Sequence, residues 1–164
     1  MKIVLMIVLS AVCLFFGGRF YFKYKRRKNF FEALVYLCQK FDVEINFSRE
    51  RVQNIISSLD DKIKQALCGL DKNFLSTLEA KESLDKPKLF EKISFLSEEE
   101  QNSIFLFFKS LGRSDMENQL KEIKNFESKF DQFSSASNVE FKKYGKLSIK
   151  LAVVASLMIV VIFL

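Results

Sequence analysis

The chain of 164 residues contains no histidine and no tryptophan, a single proline, five glycines and three cysteines. Without an imidazole there is no Ser-His or Cys-His catalysis, no two-histidine zinc signature and no side chain that ordinarily titrates near neutrality. The glycines, at 17, 18, 69, 112 and 145, form neither a G-x-G-x-x-G turn nor a phosphate-cradling loop. Cys13, Cys38 and Cys68 are spaced 25 and 30 residues apart, which excludes a C-x-x-C metal or redox pair. The commonest enzyme classes are set aside on these grounds, and no catalytic, cofactor-binding or metal-binding residue is expected.

Acidic residues are missing from both ends. Residues 1–28 carry Lys2, Arg19, Lys23, Lys25, Arg26, Arg27 and Lys28 with no acid, and residues 142–164 carry Lys142, Lys143, Lys146 and Lys150, again with none. Between them, residues 29–141 hold 15 Lys+Arg against all 20 acids, so the formal net charge of +6 belongs to the ends and the middle is mildly acidic. A nucleic-acid binder needs a basic face on its folded part. Here that part would repel phosphate, and no nucleic-acid partner is expected.

The basic ends adjoin apolar runs. Residues 3–18 are uncharged, and with Arg19 snorkelling the span 3–22 reaches about 30 Å, enough to cross a bilayer. Residues 151–164 are likewise uncharged, and with Lys150 snorkelling the span 147–164 reaches about 27 Å. A cleaved signal peptide is disfavoured for the first run because its basic cluster follows the apolar stretch and no A-x-A site appears. A terminal run with no polar face has little reason to be a buried core helix. Two membrane helices, residues 1–22 and 147–164, are therefore expected around a body of residues 23–146. Lys23, Lys25, Arg26, Arg27 and Lys28 follow the first span, and Lys142, Lys143, Lys146 and Lys150 lead into the second. Both clusters lie on the body's side, which predicts a cytoplasmic body, reduced cysteines and the lipid bilayer as a partner.

The body reads as a helical bundle. Phe30, Leu34, Leu37, Cys38, Phe41 and Ile45 form one stripe, and Val52, Ile55, Ile56 and Leu59 another. Ile63, Leu67 and Leu70, then Phe74, Leu75 and Leu78, continue the helical spacing. No alternating run is long enough for a sheet. Residues 83–89, around Pro87, are the best break. The 19 phenylalanines follow the stripes, so core packing rather than a stacking platform is expected of them.

Beyond the proline, Ser97 to Glu100 spells a capping box, and its helix carries Ile104, Phe105, Phe107, Phe108 and Leu111 before Gly112. Ser114 to Glu117 spells a second box two residues later, with Asp115 placed to meet the dipole of the next helix. That helix shows Met116, Leu120, Ile123, Phe126, Phe130, Phe133, Phe141 and Tyr144. Unbroken to Leu164, it would be about 75 Å long. Residues 134–138 (SSASN) are its weak point, because Ser and Asn compete for backbone hydrogen bonds. In the last span Ala152 and Ser156 form a small-xxx-small pair, a pattern that can mediate helix association but also arises by chance. The fold class is thus all-α: a helical bundle flanked by two transmembrane helices, its last helix continuing into the C-terminal span.

At the corner Leu111-Gly112-Arg113-Ser114-Asp115, followed by Gln119 and by a long helix entering the membrane through Tyr144-Gly145-Lys146-Leu147, the sequence resembles the stage III sporulation protein AB family. The segment from Phe41 to Phe47 (FDVEINF), which includes Glu44, is similar to that family's L-x-x-E-I-x-Y segment. The resemblance implies a membrane component of the channel between mother cell and forespore, and the lack of a catalytic constellation makes it a non-enzymatic one. It also implies a helical domain similar to the platform proteins of type II secretion and type IV pilus systems, and partners among the stage III sporulation proteins, including a secretion-ATPase-like protein. Arg113, Asp115, Gln119 and Glu44 are then candidate partner contacts. Arg113 is preferred because no capping duty falls to it, whereas Ser97, Glu100, Gly112, Ser114 and Glu117 are read as structural caps. The alternative is a membrane-tethered interaction or lipid-binding protein of another envelope complex that uses its basic flanks. Stoichiometry and self-association stay open.

Overall fold

A computed structural model of the chain describes residues 1–47, 52–68, 90, 96–111 and 115–163. Among these residues the structure is helical and contains no strand: α1 (Lys2–Phe47), α2 (Val52–Ser57), α3 (Asp61–Leu67), α4 (Glu98–Ser110), α5 (Met116–Glu140), a π-helical turn (Phe141–Gly145) and α6 (Lys146–Phe163). The all-α reading, with a long apolar helix at each end and the second continuing a body helix, is what the chain adopts. Pro87 and the apolar positions Leu70, Phe74, Leu75 and Leu78 lie outside the described residues. Two compact units result: Met1–Lys28 with Ser135–Leu164, and Asn29–Ser134.

In the Asn29–Ser134 unit the core follows the stripes. Phe30, Leu34, Leu37, Cys38, Phe41 and Ile45 of α1 are buried, as are Ile55, Ile56 and Leu59, then Leu67, Ile104, Phe107, Phe108, Ile123 and Phe130. Burying each of these large side chains contributes roughly 1.5–3 kcal/mol before the cost of ordering it. Phe107 is the hub: its ring meets Phe108 at 4.9 Å, Phe126 and Phe130 at 5.4 Å and Phe41 at 6.1 Å, mostly edge to face. That geometry suits the ring quadrupole and adds about 0.5–1.5 kcal/mol per pair. Phe30, Phe31, Phe41, Phe90, Phe107, Phe108 and Phe130 therefore fill a core, whereas Phe15, Phe16, Phe20, Phe22 and Phe47 are exposed, so core packing accounts for only part of the phenylalanines. Phe31, which the one-stripe pattern passes over, is also fully buried and packs on Phe133 at 5.5 Å. Met116, by contrast, is exposed.

The N-terminus of α4 shows why the chain turns there. The Glu100 amide donates to Ser97 Oγ at 3.2 Å, and the Ser97 amide donates to Glu100 Oε2 at 2.8 Å, a reciprocal capping box. Two amides that the helix cannot pair internally are satisfied in this way. At the head of α5 the Asp115 carbonyl accepts from the Gln119 amide at 2.9 Å.

The serine-rich stretch 134–138 does not interrupt α5. The departure from regular α-helix falls instead at Phe141–Gly145, where the Lys146 amide donates to the Phe141 carbonyl five residues back. Propensity costs of a few tenths of a kcal/mol per residue are too small to break a helix held by its surroundings. In the other unit, Gly145 is packed so closely that a β-carbon there would come within 2.7 Å of the Phe141 ring and 3.3 Å of Tyr24 Cβ.

Candidate functional site

The Met1–Lys28 and Ser135–Leu164 segments form one unit built from the first part of α1 and from the end of α5, the π turn and α6. They run antiparallel. Gly17 faces Ala152, Tyr24 stacks on Tyr144 with centroids 6.0 Å apart, and Arg27 pairs with Glu140. Glycine is required at 17, because a β-carbon there would stand 2.4 Å from Ala152 Cβ and 3.1 Å from the Ser148 carbonyl. Ser148 Oγ donates to the Gly145 carbonyl at 2.8 Å and approaches the Gly17 carbonyl at 3.4 Å. Small residues that let backbones approach are the usual basis of helix association in lipid. The contact residues are Gly17, Ser148 and Ala152. Ala152 belongs to the pair singled out in the sequence, but its packing partner is Gly17, and nothing local to residue 152 points to a glycine 135 positions away.

Away from this contact the helices stay bare. Val4, Leu5, Ile7, Val8, Phe15, Phe16 and Phe20, and opposite them Leu151, Val154, Leu157, Met158, Val161 and Ile162, are exposed. Both long helices are long and apolar enough to cross a membrane, and only 6% and 11% of their most apolar windows is buried within the chain. A soluble protein's core helix would be mostly buried.

The antiparallel pairing carries both basic runs to one end of the unit. Lys25 lies over the Tyr21 ring at 5.8 Å, Lys28 over Phe141 at 5.9 Å and Lys143 over Tyr144 at 5.2 Å, while Tyr21 and Phe141 meet at 5.4 Å. Lys23, Lys25, Arg26, Lys142, Lys143 and Lys146 are exposed, and Arg27 is half-buried on Glu140. Arg19 and Lys150 are exposed as well, Arg19 over Phe15 at 5.8 Å. Glu140 is the sole acidic side chain in residues 1–28 and 135–164, against 11 Lys+Arg.

The remaining candidates lie in the other unit and are more scattered. Glu44 is half-buried on α1. Asp115 is exposed, its Oδ1 accepting from Asn118 Nδ2 at 2.6 Å. Gln119 is only 8% exposed, so its side chain belongs to the interior and offers a partner little surface. Glu117 is exposed in the first turn of α5, and Ser97 and Glu100 form the box at the head of α4. Gly112, Arg113 and Ser114 lie outside the described residues. Among the described residues there is no group of three or more metal-ligating side chains. Cys38 is buried, and that burial, with Glu127 nearby, pushes its thiol well above the usual range.

An all-α body joined to two close-packed, bilayer-length apolar helices with one cationic end defines a class of helical protein suited to the membrane. Residues 2–164 match the family model for stage III sporulation protein AB, and the chain belongs to that family. Its role is accordingly in sporulation. No curated protein and no solved structure matches it.

Proposed function

We propose that this chain is a non-enzymatic assembly component of the channel built between mother cell and forespore, held in the mother-cell membrane by two spans. In this reading it offers its Asn29–Ser134 unit to cytoplasmic partners. The carrying observation is the pairing of two bilayer-length helices that leave their apolar faces bare and bring the basic runs Lys23–Lys28 and Lys142–Lys150 to one end. Lys and Arg beside a span stay cytoplasmic, so the basic end lies inside and both apolar ends reach across. Membership of the sporulation family supports the setting, and a secretion-ATPase-like partner is what the family resemblance implies. The compact helical core supports a holding role, in which a rigid surface captures partners and no bond is made or broken.

A topology reporter fused at Leu59 and co-purification from sporulating cells together test this reading. The expected result is a cytoplasmic signal, with the ATPase-like protein and other stage III components retained on the detergent-extracted chain. A signal from the outer side, or a chain extracted alone, overturns it.

A further inference from the structure

We propose that the cationic end of the paired-helix unit binds the phosphate headgroups of anionic phospholipids, an inference that rests on the two-span reading above. Three observations converge on it. The first is charge: of the 11 Lys+Arg in residues 1–28 and 135–164 all but Lys2 lie toward this end, and the sole acidic side chain among those residues, Glu140, pairs with Arg27. Lys25, Arg26, Lys142, Lys143 and Lys146 are all exposed. Cations crowded onto a few turns repel one another unless an outside anion answers them.

The second is convergence. A topology signal needs only basic residues near each span, wherever the spans lie. Here the Tyr24–Tyr144 stack and the Tyr21–Phe141 contact hold the two basic runs at one level, and Gly17 against Ala152 keeps the helices close. Arg26 supplies a planar fork for phosphate oxygens, and the lysines supply point charges.

The third is depth. The cations begin where the uncharged stretches end, which places the exposed Lys25, Arg26, Lys142, Lys143 and Lys146 at the level of the headgroups. Lys25 and Lys143 rest on Tyr21 and Tyr144, rings of the kind that settle at the lipid–water boundary. Basic pockets between transmembrane helices on the cytoplasmic side are known to take acidic headgroups. A phospholipid is the anion that is always present there, whereas an acidic protein would have to lie against the bilayer to reach it.

The test uses the full chain in detergent, exchanged into mixed micelles of phosphatidylglycerol and phosphatidylcholine, with retained lipid measured per chain. Phosphatidylglycerol should be retained over phosphatidylcholine by roughly tenfold or more. K25Q/R26Q/K142Q/K143Q should abolish the preference, and K25R/R26K/K142R/K143R should keep it, so loss of charge and loss of fold are told apart. Equal retention of both lipids, or a preference unchanged in the glutamine variant, overturns the proposal. So does inorganic phosphate or a polyglutamate peptide displacing the phosphatidylglycerol at equal charge concentration, because either would mark a site for anions at large. Alkaline carbonate extraction of the same chains from membranes separates the two readings. A chain that stays in the membrane but shows no lipid preference sinks only this inference, and a chain that washes off sinks the two-span reading with it.

Discussion

Gly17 lies so close to Ala152 that a β-carbon on the glycine would stand 2.4 Å from the β-carbon of the alanine, well inside any van der Waals contact. Both sit on helix backbones, so neither can yield without one helix moving. Gly17→Ala should therefore lower the melting temperature of the detergent-solubilised chain, by the equivalent of about 1–3 kcal/mol for an overpacked site. The double variant G17A/A152G moves the methyl group to the other helix and should recover most of the loss. Circular dichroism melts of the three chains check this. Recovery that fails to appear would mean that the two positions do not share one space.

The α4 capping box predicts a smaller effect. Ser97→Ala removes the oxygen that accepts from the Glu100 amide, and loss of an N-cap costs about 1 kcal/mol. Ser97→Asp should be nearly neutral, because a carboxylate caps as well and also favours the positive end of the helix dipole. Denaturant midpoints for the pair should differ by close to the full capping term.

Cys38 predicts a pH dependence. Burial first, and the Glu127 carboxylate second, hold its thiol protonated in the folded chain far above the ordinary thiol range. The unfolded chain can ionise that thiol above about pH 8.5, whereas the folded chain cannot. Its contribution is therefore fully present below that pH. Above it, stability falls by up to about 1.4 kcal/mol per unit while the folded thiol stays protonated. Subtracting the unfolding profile of Cys38→Ala from that of the wild type should isolate the slope. In the same pH range a maleimide should label half-exposed Cys68 while sparing Cys38 until denaturant is added.

These positions differ in how legible they are in the sequence. Cys38 and the Phe30–Ile45 stripe announce themselves by spacing, since a helix exposes its period to anyone who counts. The Ser97–Glu100 box is equally local. Gly17 is not: it is required by a neighbour whose identity depends on how two distant segments pair, and no pattern around residue 17 names residue 152. Local propensity points to the serines at 134–138, whereas the π turn falls at Phe141–Gly145. Phe31 escapes the spacing because a single stripe has room for only one of two adjacent rings. The basic flanks were visible as charges, but their meeting at one end follows from the pairing.

Arg27 and Glu140 offer the last prediction. They are 113 residues apart in sequence and form a pair whose guanidinium is more sheltered than its carboxylate, with side-chain exposures of 17% and 37%. Solvent screens such a pair, so its coupling should be near the upper end of the surface range, about 1 kcal/mol. A double-mutant cycle of Arg27→Gln, Glu140→Gln and the two combined, read from melting in detergent, measures it directly. The two single variants should also part ways electrostatically. Arg27→Gln frees the carboxylate among the remaining cations, which then neutralise it, and retention of phosphatidylglycerol should fall. Glu140→Gln removes the only acidic side chain of the cationic end and should raise it. Equal shifts in one direction would mean that the pair acts on lipid retention through packing alone.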